Sequence, residues 1–217
     1  TKLVFRYKTN NTAIGLSMVG IWLISLVALI VVSAGQVGNY KNRSSITDNQ
    51  TISCDSCQTL YLKIAEDKYE DYAELDFDIN DFKMMVVDGD EVMLGQPTLD
   101  VVKSGSDNFT IVIKKAARGN SRENAKETAE KIIYNYVLKD STLLLDPYFL
   151  LDENGKWRDQ DVDIIIKVPK GKAIYLGEKT VGIIHDIENT SNTWDSDMVG
   201  KTWEMKEEGL TLKEKEN

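Results

Sequence analysis

Cys54 and Cys57 form a CxxC, the pair with the clearest chemical potential in the chain. In a redox enzyme such a pair opens a helix inside a thioredoxin-like βαβ unit, where the helix N-terminus stabilises the thiolate. Here polar sequence leads into the pair and an alternating apolar run follows it, with no βαβ pattern around it. A zinc site would need a second pair of ligands of this kind. The spacing therefore favours a structural role, with a local disulfide in an oxidising compartment, over redox or metal chemistry.

The acidic stretch DFDINDF (76–82) invites a calcium reading. An EF-hand loop needs Gly at its sixth place and Glu at its twelfth. Those places hold Asp81 and Val87, so the loop fails. The carboxylates alternate with Leu75, Phe77 and Ile79, as on the wet face of a strand. Asp88-Gly89-Asp90 reads as a turn. With 35 acids in the chain, carboxylate pairs arise by chance and do not point to glycoside hydrolysis.

His185 is the single histidine, and Asp186 follows it. A Ser–His–Asp triad needs a positioned nucleophile, and no GxSxG elbow is present. Gly177-Glu178-Lys179-Thr180 departs from a phosphate loop, which places Gly directly before Lys-Ser/Thr and another Gly five residues earlier. The glycosylation-type triplet at Asn108 opens an alternating run and carries little weight. No catalytic residue, cofactor or metal ligand is assigned.

The elements that must carry these residues are of two kinds. Residues 13–34, AIGLSMVGIWLISLVALIVVSA, contain no charge. As a helix, at about 1.5 Å per residue, they cover the ~30 Å hydrocarbon core of a bilayer. Phe5 and Tyr7 on one side and Tyr40 on the other suit interfacial anchoring. Small residues at Val32-Ser33-Ala34 also resemble a signal-peptide cleavage site, but the apolar run exceeds the usual signal core. A transmembrane helix is the stronger reading. Lys2, Arg6 and Lys8 before it, against Lys41 and Arg43 after it, favour a cytoplasmic N-terminal flank over residues 1–12.

The whole chain carries −9, and residues 1–34 hold three cations and no acid, so the remainder carries −12. That balance argues against nucleic-acid binding, which needs a basic face. Residues 35–52 are polar, without apolar period, and read as a flexible tether. Residues 53–212 read as one mainly-β domain, and 213–217 as a charged, frayed tail.

Within the domain, Leu60/Leu62/Ile64, Leu75/Phe77/Ile79, Phe109/Ile111/Ile113 and Val162/Ile164/Ile166/Val168 alternate at period two. Their spacing predicts a β-sandwich or a short β-solenoid. One helix is expected over 121–131, capped by Ser121, followed by a hairpin of 132–138 and 141–147. Asp152-Glu153-Asn154-Gly155 is read as a turn, and Trp194 and Trp203 as closing one end of the core.

The stretches NAKETAEKI, LLLDPYFLL, KWRDQDVDIIIKVP and NTWDSDMVGKTWEM resemble the C-terminal region of bacterial PspC-domain (phage-shock-protein-C-like) membrane proteins. DIIIKVPKGKAIYL is similar to surface β-modules of the adhesin or toast-rack kind. The resemblance implies a bacterial inner-membrane protein with its C-terminal domain in the periplasm, acting in envelope stress or signalling without catalysis. The expected partners are the lipid bilayer and a protein in the membrane or envelope, and a homo-oligomer is compatible with the same reading. The PspC domain itself would lie upstream of Thr1. A structural or adhesive surface module and an anti-sigma-type membrane regulator are the competing readings.

Overall fold

The computed structural model describes residues 11–54, 57–69, 74–79, 82–87, 90–152 and 156–213. Helix α1 spans Asn11–Gly38. Its stretch Ile14–Ser33 is long and apolar enough to cross a membrane. Side chains all around it are exposed, Trp22 by 62% and Ile24 by 72%. An isolated helix that is apolar on every face has no stable place in water, and it satisfies its own backbone in lipid.

Fourteen strands follow among the described residues: β1 (Asn42–Thr51), β2 (Thr59–Ile64), β3 (Glu74–Ile79), β4 (Phe82–Val87), β5 (Asp90–Gly95), β6 (Thr98–Lys103), β7 (Thr110–Gly119), β8 (Tyr136–Lys139), β9 (Thr142–Leu145), β10 (Phe149–Leu150), β11 (Asp161–Val168), β12 (Ala173–Leu176), β13 (Lys201–Met205) and β14 (Leu210–Leu212). Two helices interrupt them, α2 (Arg122–Glu130) and α3 (Asp195–Met198), with a 3-10 turn at Glu178–Gly182. The strands form three sheets, ordered β1-β7-β11-β6, β10-β5-β4-β3 and β14-β13-β12-β2-β9-β8.

β12, β2 and β9 come from distant parts of the chain yet lie side by side and parallel. β6 and β11 are likewise parallel. Stacking of this kind is how a short solenoid builds its turns, so the mainly-β expectation takes its solenoid-like form. The alternation read along 162–168 is literal: Val162, Ile164, Ile166 and Val168 are buried, and the intervening residues are half-buried on the outer face. They share one core with Leu60, Leu62, Leu143, Leu145, Ile174, Leu176 and Trp203 of the facing sheet. Each such side chain contributes about 1.5–3 kcal/mol by leaving water.

The tether expected over 35–52 is not what the chain forms. Residues up to Gly38 complete α1, and Asn42–Thr51 pair along their whole length with β7. β1 carries one apolar residue, Ile46, so hydrophobic period could not reveal it. An antiparallel ladder is made by backbone groups, which every non-proline sequence supplies. The polar composition instead suits an uncovered edge, where apolar residues would invite aggregation.

α2 lies across β1 and β7. The Ser121 hydroxyl accepts the Asn124 amide at 3.1 Å, and Ala125 and Ala129 face inward fully buried. Such a cap is worth about 1 kcal/mol. The hairpin β8–β9 turns through Asp140, at φ 54°. On the second sheet, Gly95 pairs with Phe149, whose buried ring occupies the space a side chain at 95 would need. The backbone of 74–79 and 82–87 pairs antiparallel, whereas residues 88–89 and 153–155, where turns are expected, lie outside the described residues.

Candidate interaction surfaces

Cys54 and Cys57 are joined as a disulfide, with Cα atoms 5.4 Å apart. Cys57 is buried and donates its amide to the Cys54 carbonyl at 3.2 Å. From Cys57 the chain runs into β2, and among the described residues no helix begins at either cysteine. The pair closes the bend between β1 and β2.

His185 is exposed, and its amide binds the Leu99 carbonyl at 3.1 Å. With the Leu99 amide donating to Ile183, this segment covers the free edge of β6. In the Gly177–Thr180 stretch the buried Thr180 hydroxyl binds the Gly177 carbonyl at 2.6 Å, which is a structural turn. Among the described residues no group of three or more His, Cys, Asp or Glu could hold a metal ion.

Two constructed surfaces remain. The first is the junction where α1 meets the domain. The Tyr40 ring packs on Trp157, centroids 5.8 Å apart, and its hydroxyl donates to the Trp157 carbonyl at 3.0 Å. Arg118 reaches the Tyr40 carbonyl at 3.2 Å, and the Arg158 guanidinium lies 5.5 Å from the Tyr40 ring centre. Arg43 binds Asp159 and Asp161, and Arg118 binds Asp159 at 2.6 Å. Burial raises the Asp161 carboxyl above its ordinary range, and Arg43 opposes that rise. The buried Gln160 side chain fixes the adjoining loop, accepting from the Arg158 amide and donating to the Lys156 carbonyl. Two residues after the last residue of α1, the chain is already pinned to the domain.

The second surface is the loop from Ile184 to Asp195, beside β6. The Asp195 carboxylate accepts two backbone amides, from Asp186 at 2.6 Å and Ile187 at 3.1 Å. Asn189 donates to the carbonyls of Ile187 and Thr193 and accepts the Thr193 amide at 2.7 Å. Asp186 and Asn192 adopt φ 52°, which these bonds hold in place. The expectation that Trp194 closes the core is wrong. Trp194 is 80% exposed, whereas Trp203 is fully buried and donates to the Met198 carbonyl at 2.9 Å. Hydrophobicity alone could not separate the two; the difference is that Trp203 lies in β13 with its side chain inward, and Trp194 precedes α3 at the loop's end. A rigid loop displaying tryptophan is well suited to contact a partner, because little order is lost on binding. Burial, then the neighbouring Glu188, Asp186 and Asp195, raise the Asp100 carboxyl and mark this side as acidic.

The Asp195 bonds give a first expected result. Asp195→Ala should cost about 1–3 kcal/mol of local stability, since hydrogen bonds to a charged acceptor are lost. Hydrogen exchange should show the Asp186 and Ile187 amides opening at least tenfold faster, with β11 amides unchanged. Unaltered exchange at both amides would show that the carboxylate does not hold the loop.

An apolar helix pinned directly to a mainly-β, solenoid-like domain defines a membrane-anchored β-domain protein. Over residues 88–217, more than half of the chain, the sequence matches the family described as ToastRack found in some PspC. The chain belongs to that family of PspC C-terminal toast-rack domains. No curated protein and no solved structure matches it.

Proposed function

We propose that this is a PspC-like, non-enzymatic component of bacterial envelope-stress signalling. Its N-terminal flank lies in the cytoplasm, α1 crosses the inner membrane and the toast-rack domain stands in the periplasm. The family match over 88–217 carries the reading. The excess of Lys and Arg before α1 supports the orientation. A disulfide suits an oxidising compartment. The outer domain binds a protein partner through the Trp194 loop, and the pinned junction passes a change of state to α1. A ligand shifts such an equilibrium only by its differential affinity for the two states.

The test is an envelope-stress reporter in cells making the full chain, a version lacking residues 45–217 with α1 intact, or Trp194→Ala. Truncation should change reporter output, and Trp194→Ala should move it in the same direction with normal protein levels. An unchanged reporter, with surface integrity or attachment lost instead, would replace this reading with a structural or adhesive one.

A further inference from the structure

We infer that the junction end of the domain binds the phosphate headgroups of anionic lipids in the bilayer that α1 spans. The inference rests on α1 being a membrane span and not on the signalling role. From Ser33 to Gly38 the helix continues for five residues, about 7–8 Å. The headgroup zone is about 5–7 Å deep on each side of the hydrocarbon. Tyr40 and what it touches therefore meet the bilayer surface.

The chemistry assembled there runs against the acidity of the chain as a whole. Lys41 follows Tyr40 directly. Arg122 begins α2, beside the contact of the Asn42 side chain with the Asn120 carbonyl at 2.9 Å. Lys156 and Arg158 stand on the loop fixed by Gln160, and the Arg158 carbonyl accepts the Arg118 amide at 2.7 Å. Among the described residues Arg43 and Arg118 are matched by Asp159 and Asp161, but Lys41, Arg122, Lys156 and Arg158 have no carboxylate partner. Four unmatched cations on a rigid frame, next to a Tyr–Trp pair of the kind that sits at membrane interfaces, complement an anionic headgroup layer. They come from three separate chain segments, so no linear basic motif announces them.

The full chain is reconstituted into nanodiscs of phosphatidylcholine alone or with about 30% phosphatidylglycerol, and hydrogen exchange is followed at residues 39–43, 118–124 and 156–160. Co-elution with the discs checks the span itself. Phosphatidylglycerol should slow exchange at these amides at least fivefold, and 0.5 M NaCl should remove the effect, because exposed charges are screened. Combined Lys41→Gln, Arg122→Gln, Lys156→Gln and Arg158→Gln should abolish it while β11 exchange stays as in the parent. Equal exchange in the two disc types would overturn the inference, as would an effect that survives the four substitutions. Protection reproduced by inorganic phosphate in phosphatidylcholine discs would make this a free-anion site and overturn the membrane reading.

Discussion

Trp203→Ala should destabilise the domain by about 3–5 kcal/mol, the largest single-residue loss expected among its side chains. Trp203 is the largest of the fully buried side chains. It is held between β12 and β14, opposite Ile174 on one side and Leu212 on the other. Truncation leaves a cavity that packed neighbours cannot collapse into, and it strands the Met198 carbonyl that the indole nitrogen binds. Denaturant titration of the full chain in detergent micelles measures the loss. Trp203→Phe separates the two causes: it keeps most of the volume and should cost less than half as much. Trp194→Ala should change stability by no more than about 0.5 kcal/mol, as expected for an exposed side chain. Equal losses at 203 and 194 would mean that the described core is not the one that stabilises the protein.

The same pair of tryptophans shows what sequence could and could not say. Where the hydrophobic effect writes a period, it was legible: 162–168 and 109–113 alternate and bury their apolar faces. The helix after Ser121 and the hairpin behind it carry local signals, a cap and a turn residue, and both elements are present. β1 was illegible because a ladder of backbone bonds leaves no mark on side-chain pattern. The Trp194 loop was illegible because its shape comes from Asp195 and Asn189 reaching back over several residues. The junction was hardest, since Tyr40, Arg118 and Trp157 meet only when three distant segments fold together. The family stretches in NTWDSDMVGKTWEM did contain the loop's anchor, Asp195, but gave no reason for it.

The second large effect is expected at that junction, from Gly119→Val. Gly119 is the last residue of β7, opposite Asn42, at the point where the chain turns into α2. A Cβ built there would stand 2.6 Å from the Ala125 backbone nitrogen and 2.8 Å from the Asn124 side-chain oxygen. Backbone cannot swing aside as a flexible side-chain end can, so α2 must lift or the end of the β1–β7 ladder must open. Overpacking of this kind costs about 1–3 kcal/mol, and a branched side chain belongs at the upper end. Lifting α2 uncovers Ala125 and Ala129, and opening the ladder releases Asn42 and, beside it, the Tyr40 clamp. Hydrogen exchange should therefore accelerate together in α2 and at 39–43, with the Trp203 region unaffected. Gly105→Val is the control, because nothing lies within 4 Å of a Cβ at that position, and it should leave both regions as they are. If Gly119→Val leaves stability within about 0.5 kcal/mol of the parent, the range of ordinary surface changes, then α2 does not seat against β7 as described. The path from α1 into the domain would then need a different anchor.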